Sequence, residues 1–148
     1  MSLHAIVYVS DARDLLRPAD LDRLLADATA FNRVAGVTGV LMFDGRRFLQ
    51  FLEGPDDGIA SVYPRIANAR SHSGLHLLCE GTIARRAFPR WTMGTRQIDA
   101  EVLSQIIDSP WSGFAGPPAP ASDGFMRLLQ AWTGADGELE PPAVALGS

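Results

Sequence analysis

The sequence predicts an α+β fold, a sheet with two helices on one face and short C-terminal helices on the other. Three observations predict it. Strand-like runs rich in aliphatic and aromatic residues alternate with two stretches of helical apolar spacing, in a βαββαββ order. Those strands are apolar on both sides, so both faces of the sheet need cover. Two amphipathic segments follow the last strand and are free to supply the second layer. Helices interleaved with strand pairs in this order make a ferredoxin-like sheet.

Each element has a local cause. Residues 4–10 (HAIVYVS) put Ile6, Tyr8 and Ser10 on one side of a strand and Ala5, Val7 and Val9 on the other. Pro18 and Asp20 then open a helix whose Leu21, Leu24, Leu25, Ala28 and Phe31 share a face, ending between Asn32 and Gly36. Residues 37–54 read as two strands joined around Asp44-Gly45, a hairpin dipeptide. Pro55-Asp56-Asp57 punctuates the chain, placing Glu53 at a turn, and a second helix follows on Ile59, Val62, Tyr63 and Ile66, with a kink expected at Pro64. Residues 75–83 and 91–98 complete the strands. Residues 101–108 and 124–132 are the amphipathic C-terminal helices, separated by a Pro/Gly-rich link.

A chain of 148 residues with 47% hydrophobic content holds one domain of ordinary size. We divide it into a sheet domain over residues 1–99, a helical cap over 100–134 and a flexible tail over 135–148. The net charge of −4 argues against nucleic acid or an anionic membrane as partner, since both are bound through clustered Lys and Arg. Cys79 has no second cysteine to pair with and reads as a small core residue. His4, His72 and His76 lack metal-ligand spacing, and no segment reads as a membrane span or a leader, so a cytoplasmic protein is expected.

Gln50 is the anomaly in this pattern. Its amide stands in the apolar strand RFLQFLEG, where leaving it unpaired costs roughly 1–3 kcal/mol. Tyr8 is the comparable polar tip of the first strand. If the two strands are neighbours, phenol and amide meet on the face beneath the first two helices.

The runs IVYVS, NRVAGVTGVLMF, FLQFLEGP, VYPRIANARSH and RRAFPRWTMG occur in the order and spacing of the BLUF family of flavin-binding blue-light sensors, which the chain resembles over residues 3–99. The resemblance implies a photoreceptor rather than an enzyme. It makes Tyr8 the photochemical electron donor and Gln50 the amide between phenol and flavin. It assigns Asn32 to the polar edge of the isoalloxazine, His72 to the flavin's surroundings, and Trp91 and Met93 to the strand that reports the light state. FAD is the expected cofactor, with FMN admissible. Signalling is expected through a separate protein partner or through the chain's own oligomer.

This chain departs from the family pattern at Phe31, where a polar residue is usual, and at Ala69 and Ser71, where an acid and an arginine are usual. Two charged contacts to the ring are therefore missing, Arg65 and Arg70 are the available replacements, and looser flavin binding is expected. The alternative is a degenerate fold of the same family that has lost flavin and serves as an interaction module. A hydrolase on a ferredoxin-like fold is disfavoured because YVSDARDLLRP lacks the glycines of an anion-cradling loop.

Overall fold

The structure, a computed structural model, describes residues 3–12, 18–67, 72–90, 94–111, 113–114 and 124–134. In chain order its elements are β1 (Leu3–Ala12), α1 (Pro18–Ala35), β2 (Thr38–Phe43), β3 (Arg47–Pro55), α2 (Asp56–Ala67), β4 (His72–Ile83), β5 (Gly94–Gln97), α3 (Ala100–Asp108) and α4 (Gly124–Gly134). The strands form one sheet in the order β4-β1-β3-β2-β5. Pairing is antiparallel for β1 with β3 and β4 and for β2 with β3, and parallel for β2 with β5. This is the predicted ferredoxin-like sheet.

Side-chain alternation divides the core into two layers. Ile6, Leu41, Phe43, Phe48 and Leu52 pack beneath Ile59 and Val62 of α2, with Ala28, Phe31 and Ala35 of α1 against the same cluster. Ala5, Val7, Met42, Leu49 and Phe51 face the other way, onto Leu103 and Ile106 of α3 and Phe125, Leu128 and Trp132 of α4. The second sheet face is thus covered by the C-terminal helices, as its apolar character requires.

Differences from the expected boundaries are local. β4 begins at His72, three residues before the apolar run, because its small and polar start pairs with the end of the long β1 at Asp11 and Ala12. α2 runs on through Pro64 to Ala67 as one helix. β5 covers Gly94–Gln97; residues 91–93 of the expected strand lie outside the described residues. The expected tail, residues 135–148, lies outside them as well. Cys79 is half-buried and packs against the margin of the α3/α4 layer rather than within the core, because it lies on the edge strand β4. Among the described residues no helix is long and apolar enough to cross a membrane.

Two turns position the functional elements. Gly36 adopts φ 74°, and Val37 N–H donates to the Asn32 carbonyl at 2.8 Å, closing α1 with the left-handed glycine that such ends favour. At the β2–β3 hairpin Gly45 takes φ 101°, while Asp44 Oδ1 accepts from the amides of Arg46 and Arg47 at 2.9 and 2.7 Å. Arg47 donates to Asp44 Oδ2 at 3.1 Å, to the Ala100 carbonyl at 3.2 Å and to Ser104 Oγ at 2.9 Å, so the hairpin tip also holds α3.

Burial works against the Asp44 charge, but the two amides and the Arg47 guanidinium outweigh it and hold the carboxyl below its ordinary range. A depressed carboxyl stabilises the fold above its unfolded pKa, and that contribution disappears as pH falls through the folded value. Asp44→Asn is therefore expected to lower stability at neutral pH by about 1–2 kcal/mol and to flatten the acid limb of the stability profile. Denaturant titrations at neutral and acidic pH check this.

Candidate functional site

Tyr8 and Gln50 stand directly opposite each other in the β1–β3 register. Both lie on the α1/α2 side, in step with Ile6 on one strand and with Phe48 and Leu52 on the other. Leu77 of β4 is the cross-strand neighbour of Tyr8, and Leu41 of β2 that of Gln50. A phenol and an amide thus form a polar pair in the middle of a row crossing four strands. The ladder shifts register between Val7 and Tyr8, a bulge of the kind that re-aims side chains beside functional sites.

Tyr8 is 3% exposed, and its hydroxyl donates to Gln50 Oε1. Burial, reinforced by the neighbouring Tyr63 phenol, pushes the Tyr8 pKa well above its ordinary value. The phenol therefore keeps its proton, and in this pair it donates that proton in a hydrogen bond to Gln50 Oε1. With its oxygen engaged by Tyr8, the Gln50 amide presents its NH2 group, two donors, on its other branch.

Asn32 is 2% exposed and lies in the last turn of α1, the helix that covers this sheet face. Beside it a cleft of about 280 Å³ opens between the end of α1 and the start of α2, lined by Phe31, Val34, Ala35, Asp57, Gly58 and Ser61. Gly58 brings the helices together there, since a Cβ would stand 2.3 Å from the Ala35 carbonyl oxygen. A buried amide, Asn32, a half-buried one, Gln50, each able to donate and accept, and a protonated phenol suit the ring of a flavin, whose polar edge carries both carbonyl acceptors and an N–H donor. The donor set therefore fits the cofactor that the sequence suggested.

The structure brings Tyr8 and Gln50 into contact and places Asn32 in the covering layer. The backbone of Arg65 lies in α2 and that of His72 opens β4, but their side chains are outside the described residues. Ala69, Arg70, Ser71, Trp91 and Met93 lie wholly outside them.

The sequence profile of the family described as BLUF, sensors of blue-light using FAD, matches residues 3–94, the greater part of the chain. The chain belongs to the BLUF family. It is 30% identical over 117 residues to the photoactivated adenylate cyclase subunit beta of Euglena longa, which covers 73% of this chain and 14% of that protein. It is 33% identical over 85 residues to the blue light- and temperature-regulated antirepressor BluF of Escherichia coli (strain K12), covering 57% of this chain and 21% of that protein. The chain thus spans less than a quarter of either curated relative. Among solved structures it is similar to Klebsiella pneumoniae BlrP1 with FMN and cyclic diGMP, at 28% identity and TM-score 0.65, over 88% of this chain and 34% of that one. A BLUF domain is a sensor module, and its ferredoxin-like sheet is the one found here.

Three residues around the candidate site make contacts that the sequence does not mark. Tyr63 of α2 tilts against Tyr8 with ring centroids 6.2 Å apart, and its helical spacing marked it only as part of an apolar stripe. Glu53 is a correction, because it is not a turn residue but a fully buried position in β3 opposite Thr38 and Ala5. Burial pushes its carboxyl above the ordinary range, against the Ala87 and Phe88 amides, the Thr38 hydroxyl and the Arg86 charge, all of which favour the ionised form. Arg86, in the segment after β4, was unremarkable in sequence because its partners are backbone carbonyls and a hydroxyl far along the chain.

Proposed function

We propose that this BLUF chain is a blue-light photoreceptor in which Tyr8 and Gln50 form the switching unit. The observation that carries the reading is the hydrogen bond from the buried Tyr8 hydroxyl to Oε1 of the half-buried Gln50 amide, across a direct cross-strand pair. Bound flavin supplies the absorption of blue light and, once excited, a strong oxidant. Tyr8 is a side chain able to yield an electron, and its proton has a defined acceptor in Gln50 Oε1. Rotation or tautomerisation of the Gln50 amide then exchanges donor for acceptor on each of its branches, without a covalent bond to the protein.

Asn32 is the second amide of the site in this reading, with Arg65, Arg70 and His72 as further flavin contacts. FAD is the cofactor favoured by the family description, and a structural neighbour holding FMN keeps the shorter flavin in view. Residues 1–99 act as the flavin unit and 100–134 as a cap, supported by the packing of α3 and α4 on the face opposite Gln50. Trp91 and Met93, just ahead of β5, would pass the change towards that cap. Its output would be altered affinity for a protein partner or for another copy of the chain, in the cytoplasm.

Purified protein tests the proposal. A yellow preparation whose flavin band shifts reversibly to the red under blue light is expected. A colourless protein that takes up neither FAD nor FMN would contradict it. Because Ala69 and Ser71 replace an acid and a base, the double variant Ala69→Asp, Ser71→Arg is expected to hold flavin about tenfold more tightly, a gain of roughly 1.4 kcal/mol that charge-assisted contacts can supply. Fluorescence titration with FAD measures it, and unchanged affinity would show that other groups already fill those places.

A further inference from the structure

The segment between β4 and β5 is tied to the functional site by two charged side chains. Glu53 Oε1 accepts from the Ala87 amide at 2.7 Å, and Oε2 accepts from the Phe88 amide at 2.6 Å and from Thr38 Oγ1 at 3.3 Å. Arg86 donates to Thr38 Oγ1 at 2.8 Å, to the Glu53 carbonyl at 3.3 Å and to the Gly36 carbonyl at 2.7 Å. The same short segment is thus fastened both to β3, three residues beyond Gln50, and to the glycine that ends α1, four residues beyond Asn32.

The residue so fastened is a wedge in the opposite layer. Phe88 is buried with its ring 5.5 Å from Phe51 in an edge contact and 5.9 Å from Trp132 of α4. Phe51 is next to Gln50 in β3 and also stacks on Phe125 of α4, at 5.5 Å and 23°. A displacement of β3 or of the α1 end therefore has a packed, hydrogen-bonded route to α4 that passes through residues 86–88.

We infer that Glu53 and Arg86 form a latch that couples the Tyr8–Gln50 site to α4, with Glu53 acting as a positioning residue for signal output rather than for photochemistry. The inference rests on the photoreceptor reading above. Both carboxylate oxygens are needed, because each meets a separate backbone N–H, and an amide in place of the acid turns an NH2 donor towards one of them. Arg86 has donors aimed at three acceptors, one in β2, one in β3 and one in the turn that closes α1, a geometry that a neutral side chain does not reproduce.

The test compares the full chain with Glu53→Gln and Arg86→Gln, all loaded with FAD. Two readouts are taken, the blue-light red shift and the light-minus-dark difference in hydrogen exchange over residues 124–134. Wild type is expected to show both. Each variant is expected to keep the red shift, which also certifies its fold, while the exchange difference in α4 falls by about fivefold or more, the scale of a lost coupling between sites. Should Glu53→Gln fail to fold, Arg86→Gln, in a half-exposed segment, carries the comparison. Full α4 responses in the variants would overturn the latch, as would a wild type that shifts to the red with no response in α4. A wild type without any red shift would overturn the photoreceptor reading and the latch with it.

Discussion

Gln50→Leu is expected to abolish the reversible red shift of the bound flavin while leaving the fold in place. Leucine is close in size, and its neighbours across the row and along the strand are Leu41, Phe48 and Leu52, so the packing tolerates it. What disappears is the acceptor for the Tyr8 proton and the donor that takes its place when the amide turns. The stranded, buried Tyr8 hydroxyl costs roughly 1–3 kcal/mol, a loss that a domain of this size survives. Tyr8→Phe removes the proton and the electron donor from the other side and is expected to silence the same response. Difference absorption spectra under blue light, with circular dichroism as a control on folding, measure both variants. A full red shift in Gln50→Leu would remove Gln50 from the mechanism.

Gly39→Ala is expected to have the largest effect on stability. Gly39 lies in β2 opposite Leu52, and a Cβ there would stand 2.0 Å from the Phe51 carbonyl oxygen, 3.0 Å from its carbon and 3.1 Å from Leu52 Cα. All three are backbone atoms of the neighbouring strand, so the clash is relieved only by parting β2 from β3 at the centre of the sheet. Such a substitution belongs with the exceptional losses above about 4 kcal/mol, a large share of a total near 5–15 kcal/mol. At roughly 2–4 °C per kcal/mol, the melting temperature should fall by about 10 °C or more, and flavin binding should fail with it. Gly81→Ala, where an added Cβ meets nothing within 4 Å, is the matching control and should melt within a few degrees of wild type.

The element order was legible in the sequence because period-2 and period-3.6 apolar patterns are strong wherever one side of an element is buried, and the two-faced strands correctly called for a second helical layer. The start of β4 was not legible, since residues 72–74 carry no apolar signal and form strand only because β1 is long enough to pair with them. Tyr8 and Gln50 stood out as polar tips in apolar strands, but their exact pairing depends on β1 lying between β3 and β4, a tertiary fact. Glu53 was hidden by the Gly54-Pro55 that follows it, which reads as a turn, and by amide partners at positions 87 and 88, far along the chain. Tyr63 was read as apolar stripe because nothing local distinguishes a phenol that touches the site from one that packs.

The measurement that bears most directly on the central claim is light-minus-dark infrared difference spectroscopy of the FAD-loaded protein with isotope-labelled glutamine. If Tyr8 and Gln50 are the switching unit, a labelled side-chain amide band shifts under blue light, returns in the dark with the same time course as the flavin red shift, and is absent from Gln50→Leu and Tyr8→Phe. A flavin band that shifts and recovers while every glutamine amide band stays unchanged would contradict the account.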